Sequence, residues 1–302
     1  MDNLTHSLVG AVLGRMGLKR LSLRAMPALV IAANLPDIDS WIARPLGLSP
    51  RTFHRGFTHG LGGMVTMPLL ALAIILIWER LRPGKEGPVK VAGLLLACFI
   101  GVLSHPALDF LNTYGVRLLE PFSHRWFYGD TLFIVDPWIW IALIVGLELS
   151  WRAERLGRNW TRPAGMMFAA VLAYIGLNAA ISVTAVAASR PLIARIEQPR
   201  MIVAGEVPLL FWQRQVMWRG SKLSGTVRYS PFSGARLDPQ IVPLNLDDPR
   251  LAAAARSDPD VCNFLFWSRM PLVIQQDGKA YLSDQRFPAL RSVTFLLPLD
   301  KR

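Results

Sequence analysis

The chain has 302 residues, of which 52% are hydrophobic and only 18% charged; soluble domains carry roughly 25% charged residues, so an ordinary soluble domain is excluded. The net charge of +12 would suggest nucleic acid in a soluble chain, but no nucleic-acid motif accompanies it, and nucleic-acid binding is excluded too. Cys98 and Cys262 supply neither a disulfide framework nor a metal knuckle.

In chain order, residues 3–14 and 25–35 are apolar but short, joined by a basic turn with Arg15, Lys19, Arg20 and Arg24. They read as a membrane-embedded helical hairpin, tolerated where protein buries it. The N-terminus opens on Asp2 without a basic stretch or small-residue cleavage site, so no cleavable signal peptide is expected. Residues 40–59, with Pro45, Gly47, Pro50 and Gly56, read as a loop. Full spans are expected at about 60–79, 89–110, 133–151 and 164–189, because a helix crossing the hydrocarbon core needs about 20 mainly apolar residues. An aromatic loop at 111–132 separates the second and third. After Arg190 the pattern changes. Segments 209–219, 223–229, 264–269 and 271–276 alternate like strands, 248–257 suits a short helix, and Asp277-Gly278 marks a hairpin. The expected architecture is an α-helical polytopic membrane domain over 1–190, with about four full spans plus the N-terminal hairpin. A small, mostly β extramembrane domain follows over 199–302. Trp212 and Trp218, on its most strand-like segment, suit either a core or a lipid interface.

Three links, 15–24, 80–90 and 152–162, carry twelve Lys or Arg, among them Lys85 and Lys90. The opposite links carry five: Arg44, Arg51, Arg55, Arg117 and Arg125. The positive-inside rule puts the twelve in the cytoplasm and the other face, with the C-terminal domain, outside. All five histidines fall within the first 124 residues. His6, Asp37, Asp39, His54, His59, His105, Asp109, Asp130 and Asp136 all map to helix ends on that outer face, as one shared site requires.

His105 and Asp109, in S-H-P-A-L-D, stand at i and i+4 and share a helix face. Such a pair can hold a cation; alternatively Asp109 orients His105 or pairs with Arg117. His54 and His59, in H-R-G-F-T-H, would lie about 140° apart on a regular helix, and Gly56 permits the bend that converges them. Asp37 and Asp39, in N-L-P-D-I-D, are carboxylates that repel unless a cation lies between them, or else cap a short helix. His6 gains weight only from facing the same side, and His124 is a weaker candidate. Asp130 and Asp136 could ligate, position water or cap the third span. Arg55 and Arg125 could clamp a phosphate oxyanion or remain loop arginines. No H-E-x-x-H, P-loop or G-x-S-x-G is present, which argues against a zincin, an NTPase and a serine hydrolase. A His/Asp inventory without Cys suits Zn²⁺, Mn²⁺ or Fe²⁺, singly or as more than one ion.

The ordered motifs T-H-S-L-V-G, N-L-P-D-I-D, H-R-G-F-T-H, S-H-P-A-L-D-F-L-N-T-Y-G and G-D-T-L-F-I-V-D-P-W cover roughly residues 1–140. They resemble the YdjM-like family of bacterial membrane-bound metal-dependent hydrolases. More distantly, the pattern is similar to the helical zinc-dependent phospholipase C and S1-P1 nuclease group, which clusters zinc ions with an early His, an Asp followed by a His, and an H-x-x-x-D pair. His6, Asp37 or Asp39, His54, and His105 with Asp109 match those parts. The group's later H-x-x-x-E pair has no counterpart here. The resemblance implies a divalent-metal-dependent hydrolase of the bacterial inner membrane. Residues and resemblance together set the expectation of a site formed by His6, Asp37, Asp39, His54, His59, His105 and Asp109 that acts on a phosphoester, such as that of a membrane lipid, at the outer face. Asp130, Asp136 and Arg55 would assist catalysis. The rival reading is a non-enzymatic membrane protein such as a metal-ion permease or an assembly factor. No specific protein partner is inferred.

Overall fold

The computed structural model describes residues 1–43, 45–84, 89–287 and 295–300. Arg44 and Lys85, counted among the link charges, lie outside the described residues. Helix α1 (Asn3–Arg15) starts where the Asp2 carboxylate accepts the amides of Leu4 and Thr5, as an N-cap does. Helix α2 (Ala25–Asn34) gives way at Pro36 to a 3-10 turn, Leu35–Asp37, because proline cannot donate into the helix ladder. Two short helices, α3 (Ile38–Ala43) and α4 (Pro50–Phe53), occupy the stretch read as a loop. Then come α5 (Leu61–Leu81), α6 (Val91–Phe110), α7 (Pro137–Arg155) and α8 (Thr161–Ala194).

Helices α5, α6 and α8 are long and apolar enough to cross a membrane. Helix α7 carries Glu148, Arg152, Glu154 and Arg155 in its second half. Helices α1 and α2 have 13 and 10 residues, well short of the roughly 20 a span needs.

The described chain divides into two compact units, Met1–Leu46 with Phe53–Leu177, and Gly47–Thr52 with Asn178–Arg302. In the first, α2 packs against α1, α5 and α6. Small residues set the spacing. A Cβ on Gly10 would stand 2.9 Å from the Leu29 carbonyl oxygen, and one on Gly101 would stand 2.8 Å from the Ala32 Cβ. Backbones can approach this closely only across small residues, as between membrane helices generally. Val9, Val12, Leu108, Leu132, Ile139, Leu143 and Val171 close a second core on the other side of α1.

The second unit begins in the later half of α8 and carries two antiparallel sheets. Strands β1 (Met201–Glu206), β2 (Arg214–Arg219), β3 (Leu223–Ser230) and β4 (Gly234–Leu237) lie in sequence order, and β5 (Val242–Pro243) pairs with β3. Helices α9 (Pro249–Ser257) and α10 (Pro259–Trp267) follow, then a sheet of β6 (Pro271–Gln276), β7 (Lys279–Asp284) and β8 (Leu296–Pro298). Ala185 and Ile193 of α8 share a core with Ala204, Val216, Trp218 and Val227. Trp218 is thus a core aromatic.

Two expectations change. Segment 264–269 is no strand: its first four residues, through Trp267, end helix α10. Asp258 caps the helix, Pro259 opens it, and Val261, Phe264 and Trp267 recur every three residues on its buried side. Segment 209–219 is extended only from Arg214; the residues before it form a turn containing Leu209 at φ 66°. The hairpin at Asp277-Gly278 forms as read, with φ of 52° and 73°, the left-handed pair that a tight two-residue turn demands.

Candidate metal centre

Asp37, His59, His105 and Asp109 present ligand atoms that all lie within 4.8 Å of one another. They reach the site from three places. Asp37 ends the turn after α2, His59 closes the loop before α5, and His105 and Asp109 stand one turn apart on α6. His59 Nε2 lies 3.5 Å from Asp37 Oδ1 and 3.3 Å from Asp109 Oδ2. His105 Nε2 lies 3.3 Å from Asp37 Oδ1 and 3.1 Å from His59 Nε2. His59, His105 and Asp109 are fully buried, while the Asp37 side chain keeps 14% exposure. Asp39, His54 and His59 form an adjoining group, with His54 Nδ1 2.8 Å from Asp39 Oδ1.

The hydrogen bonding around the two central histidines fits a cation. His105 Nδ1 is 2.6 Å from the Ala33 carbonyl oxygen, so that nitrogen carries the proton and donates it. His59 Nδ1 faces Thr58 Oγ1 at 2.9 Å and Asp39 Oδ2 at 3.4 Å. In the neutral rings, donation on that side would leave both Nε2 atoms bare and pointing at each other among carboxylate oxygens; without a cation, protons take that place. Metal-ligating histidines are oriented in this way, by an N–H given to a carbonyl or carboxylate behind the ring. Bare lone pairs and carboxylates repel unless a proton or a cation lies between them. Both ring nitrogens of buried His6 make no hydrogen bond, and Asp109 Oδ2 is held only by ion-pair neighbours, among them Arg55 and His59. His6 stacks on His105 with ring centroids 3.7 Å apart, its Nε2 3.5 Å from Asp109 Oδ1. Oxygen and imidazole donors without thiolate suit Zn²⁺, Mn²⁺ or Fe²⁺.

Charge in the cluster is balanced locally. Burial opposes a charge on His59, but the carboxylates of Asp109, Asp37 and Asp39 outweigh it and hold the imidazole up at about 10. Burial likewise opposes ionisation of Asp37, yet hydrogen bonds from His105 and His59 keep it below the usual carboxylate range. His54 and His59 do the same for Asp39 against its burial.

Arg55, read as a clamp for substrate, is 4% exposed and engaged within the protein. Its guanidinium reaches Asp109 Oδ2 at 3.1 Å and Asn112 Oδ1 at 2.9 Å, and lies over the Tyr114 ring. Its backbone amide donates to Asp39 Oδ2 at 3.1 Å, and Thr58 Oγ1 donates to the same oxygen at 2.6 Å. Thr58 and Asn112 escaped the sequence reading; Asn112 follows Asp109 by three residues, a spacing that predicts a shared face. Asp136 caps α7 by accepting the Trp138 and Ile139 amides and also accepts from the Tyr174 hydroxyl, so the capping alternative describes it. Neither Asp136 nor Asp130 belongs to the ligand groups found among the described residues. The exposed His124 ring pairs with Glu120 instead, and Arg125 lies over Phe127.

Apolar membrane-length helices and a buried His/Asp cluster between helix ends define an integral membrane protein with a candidate metal centre. Residues 1–185 match the family of the YdjM inner membrane protein, and the chain belongs to that family. The uncharacterized protein YfhP of Bacillus subtilis (strain 168) is 26% identical over 157 residues, covering 49% of this chain and 46% of YfhP. The chain therefore spans about half of YfhP's length. The inner membrane protein YbcI of Escherichia coli (strain K12) is 30% identical over 181 residues, covering 50% of this chain and 98% of YbcI. No solved structure matches. Family and apolar helices together support an inner-membrane location.

Proposed function

We propose that the protein is a membrane-bound, divalent-metal-dependent hydrolase acting on a phosphoester of an amphiphilic, lipid-like substrate at the outer face of the inner membrane. The observation that carries this reading is the convergence of Asp37, His59, His105 and Asp109 within 4.8 Å. These four side chains would hold the ion, with buried His6 stacked on His105 and the Asp39–His54 pair beside it. A divalent cation there supplies Lewis acidity and lowers the pKa of water from about 16 towards about 7. The chain's own residues do the remaining work. Asp39, Thr58 and the Ala33 carbonyl fix the two imidazoles, and Arg55 fixes Asp109. Burial of His59, His105 and Asp109 restricts water to the Asp37 side.

The surroundings of Asp37 suit an amphiphile. An open cleft of about 420 Å³ runs past it, lined by Val30, Ile31, Leu35, Ile38 and Trp41. Trp41 is 80% exposed, as an aromatic at a membrane interface is. A permease would instead need ionisable groups along a continuous path near the bilayer midplane. Here the ionisable cluster sits at helix ends, and α7 would serve as a fourth span beside α5, α6 and α8.

Metal content measured by mass spectrometry on the purified, inserted protein tests the first half of the proposal. About one equivalent or more of Zn, Mn or Fe is expected, by analogy with tightly held three- and four-ligand sites. Absence of metal, with no uptake on adding Zn²⁺ or Mn²⁺, would overturn it. Release of phosphate or of a phosphorylated headgroup from a phospholipid panel tests the second half. A metal-loaded protein inert on the whole panel would refute lipid phosphoester hydrolysis.

A further inference from the structure

Helix α8 runs 34 residues from Thr161 to Ala194, about 51 Å at 1.5 Å per residue. The hydrocarbon core is about 30 Å thick, so a span that begins after Arg162 takes about 20 residues, and roughly the last 12 residues of the helix project beyond it. The five-stranded sheet packs along this projecting part and the last turns of the span below it, in one orientation. At one end, Arg214 donates to the Asn178 carbonyl and side chain and to Ser182 Oγ, at 2.8 to 2.9 Å. At the other end, Glu197, just past the helix, accepts from the 221–223 turn. The first end therefore lies at the level where α8 leaves the bilayer, and the second points away from it.

The loops at the first end are those expected of an interfacial surface. The β1–β2 loop carries Leu209, Leu210, Phe211 and Trp212 in succession. Leu209 is 60% exposed and held at positive φ, and Phe232, at the tip of the β3–β4 turn, is 85% exposed. Directly behind that tip, Arg228 and Arg236 are cross-strand partners. Opposed like charges on neighbouring strands are destabilising. Asp238 neutralises only Arg228, at 2.9 Å. Both arginines line a cleft of about 410 Å³ with Gln213, Tyr229, Ser230, Ser233 and the Asp238 carboxylate that Arg228 holds. Hydroxyls, an amide and two guanidiniums against one carboxylate, above an apolar tip, have the chemistry that suits a phosphate arriving with its acyl chains below.

We propose that this end of the C-terminal unit is a lipid-facing edge. Leu209 and Phe232 enter the interfacial layer, and Arg228 and Arg236 grip the phosphate of a bilayer phospholipid. This goes beyond the metal site and does not depend on it.

The test uses the full chain in nanodiscs of phosphatidylglycerol and phosphatidylcholine. Phe232→Cys and, separately, Lys222→Cys are spin-labelled in a Cys262→Ser background, and depth is read from oxygen against nickel-chelate relaxation. The label at 232 should sit at or below the phosphate level, and the label at 222 in water. A fully aqueous label at 232 overturns the lipid-facing edge. Native mass spectrometry then counts retained phosphatidylglycerol. Arg228→Gln and Arg236→Gln should each reduce retention about fivefold, the effect of one basic residue at a membrane surface. Unchanged retention in the double variant overturns the phosphate grip. Loss of retained lipid on adding inorganic phosphate alone would mark the cleft as a free-anion site and overturn its assignment to lipid.

Discussion

His105 has one nitrogen committed to the Ala33 carbonyl and the other turned into the carboxylate cluster. That division predicts the outcome of His105→Ala. The variant should remain inserted but lose metal by more than the roughly 10–100-fold typical of outer-shell changes. Parent-like metal retention would make the His105–Asp109 pair purely structural. His59 supplies a pH test. Without metal its folded pKa of about 10 exceeds the unfolded value of about 6.5. The stabilisation from its ion pairs is therefore complete below about 6.5 and is lost as pH rises through about 10. A cation must displace that proton, so metal affinity runs the opposite way and strengthens with pH. Thermal melts with chelator should fall between pH 6.5 and 10, while metal-loaded melts should not. Parallel decline in both would exclude His59 as a ligand.

At the scale of elements, the site depends on how closely α2 can approach α6. Ala28 and Ala32 share a core with α6, and Gly101 leaves space for the Ala32 methyl and the Ala33 backbone. This contact brings the Ala33 carbonyl within hydrogen-bond reach of His105. Gly101→Leu should cost about 1–3 kcal/mol through overpacking and should loosen metal retention with it. Gly165→Leu, at a helix position open to its surroundings, should do neither. Melting and metal content of the two variants in the same detergent check this, and equal effects would refute the close-packing argument. The sequence reading passed over these small residues, although Gly10 and Gly14 stand in a G-x-x-x-G spacing that signals close helix packing. It also missed α10, because aromatic and β-branched residues suit a strand until the Asp258-Pro259 cap is noticed.

At the scale of the molecule, the candidate ligands all belong to the N-terminal unit, and residues 199–302 contain no histidine. Deleting 199–302 should leave metal stoichiometry unchanged while altering turnover or lipid retention. Metal loss from a truncated but inserted protein would show that the division of labour is wrong. Orientation follows from the basic links: reporter fusions after Arg82 and Arg158 should read cytoplasmic, and a C-terminal fusion external. A cytoplasmic C-terminal reading would refute either the span count or the inside assignment.

Sequence alone determined the membrane class, the apolar helices, the antiparallel hairpins and the residue types of the cluster. Those features are written locally, as runs of apolar residues, turn dipeptides and spacings such as the four residues between His105 and Asp109. Tertiary structure decided which donors meet. His54 and His59 were equivalent in sequence, but only His59 reaches Asp37, His105 and Asp109, while His54 turns to Asp39. Arg55 was a free cation in sequence and is the partner of Asp109 in the fold. Such pairings join residues 15 to 54 positions apart across packed helices, and no local pattern encodes a distance set by the backbone approach of α1, α2 and α6.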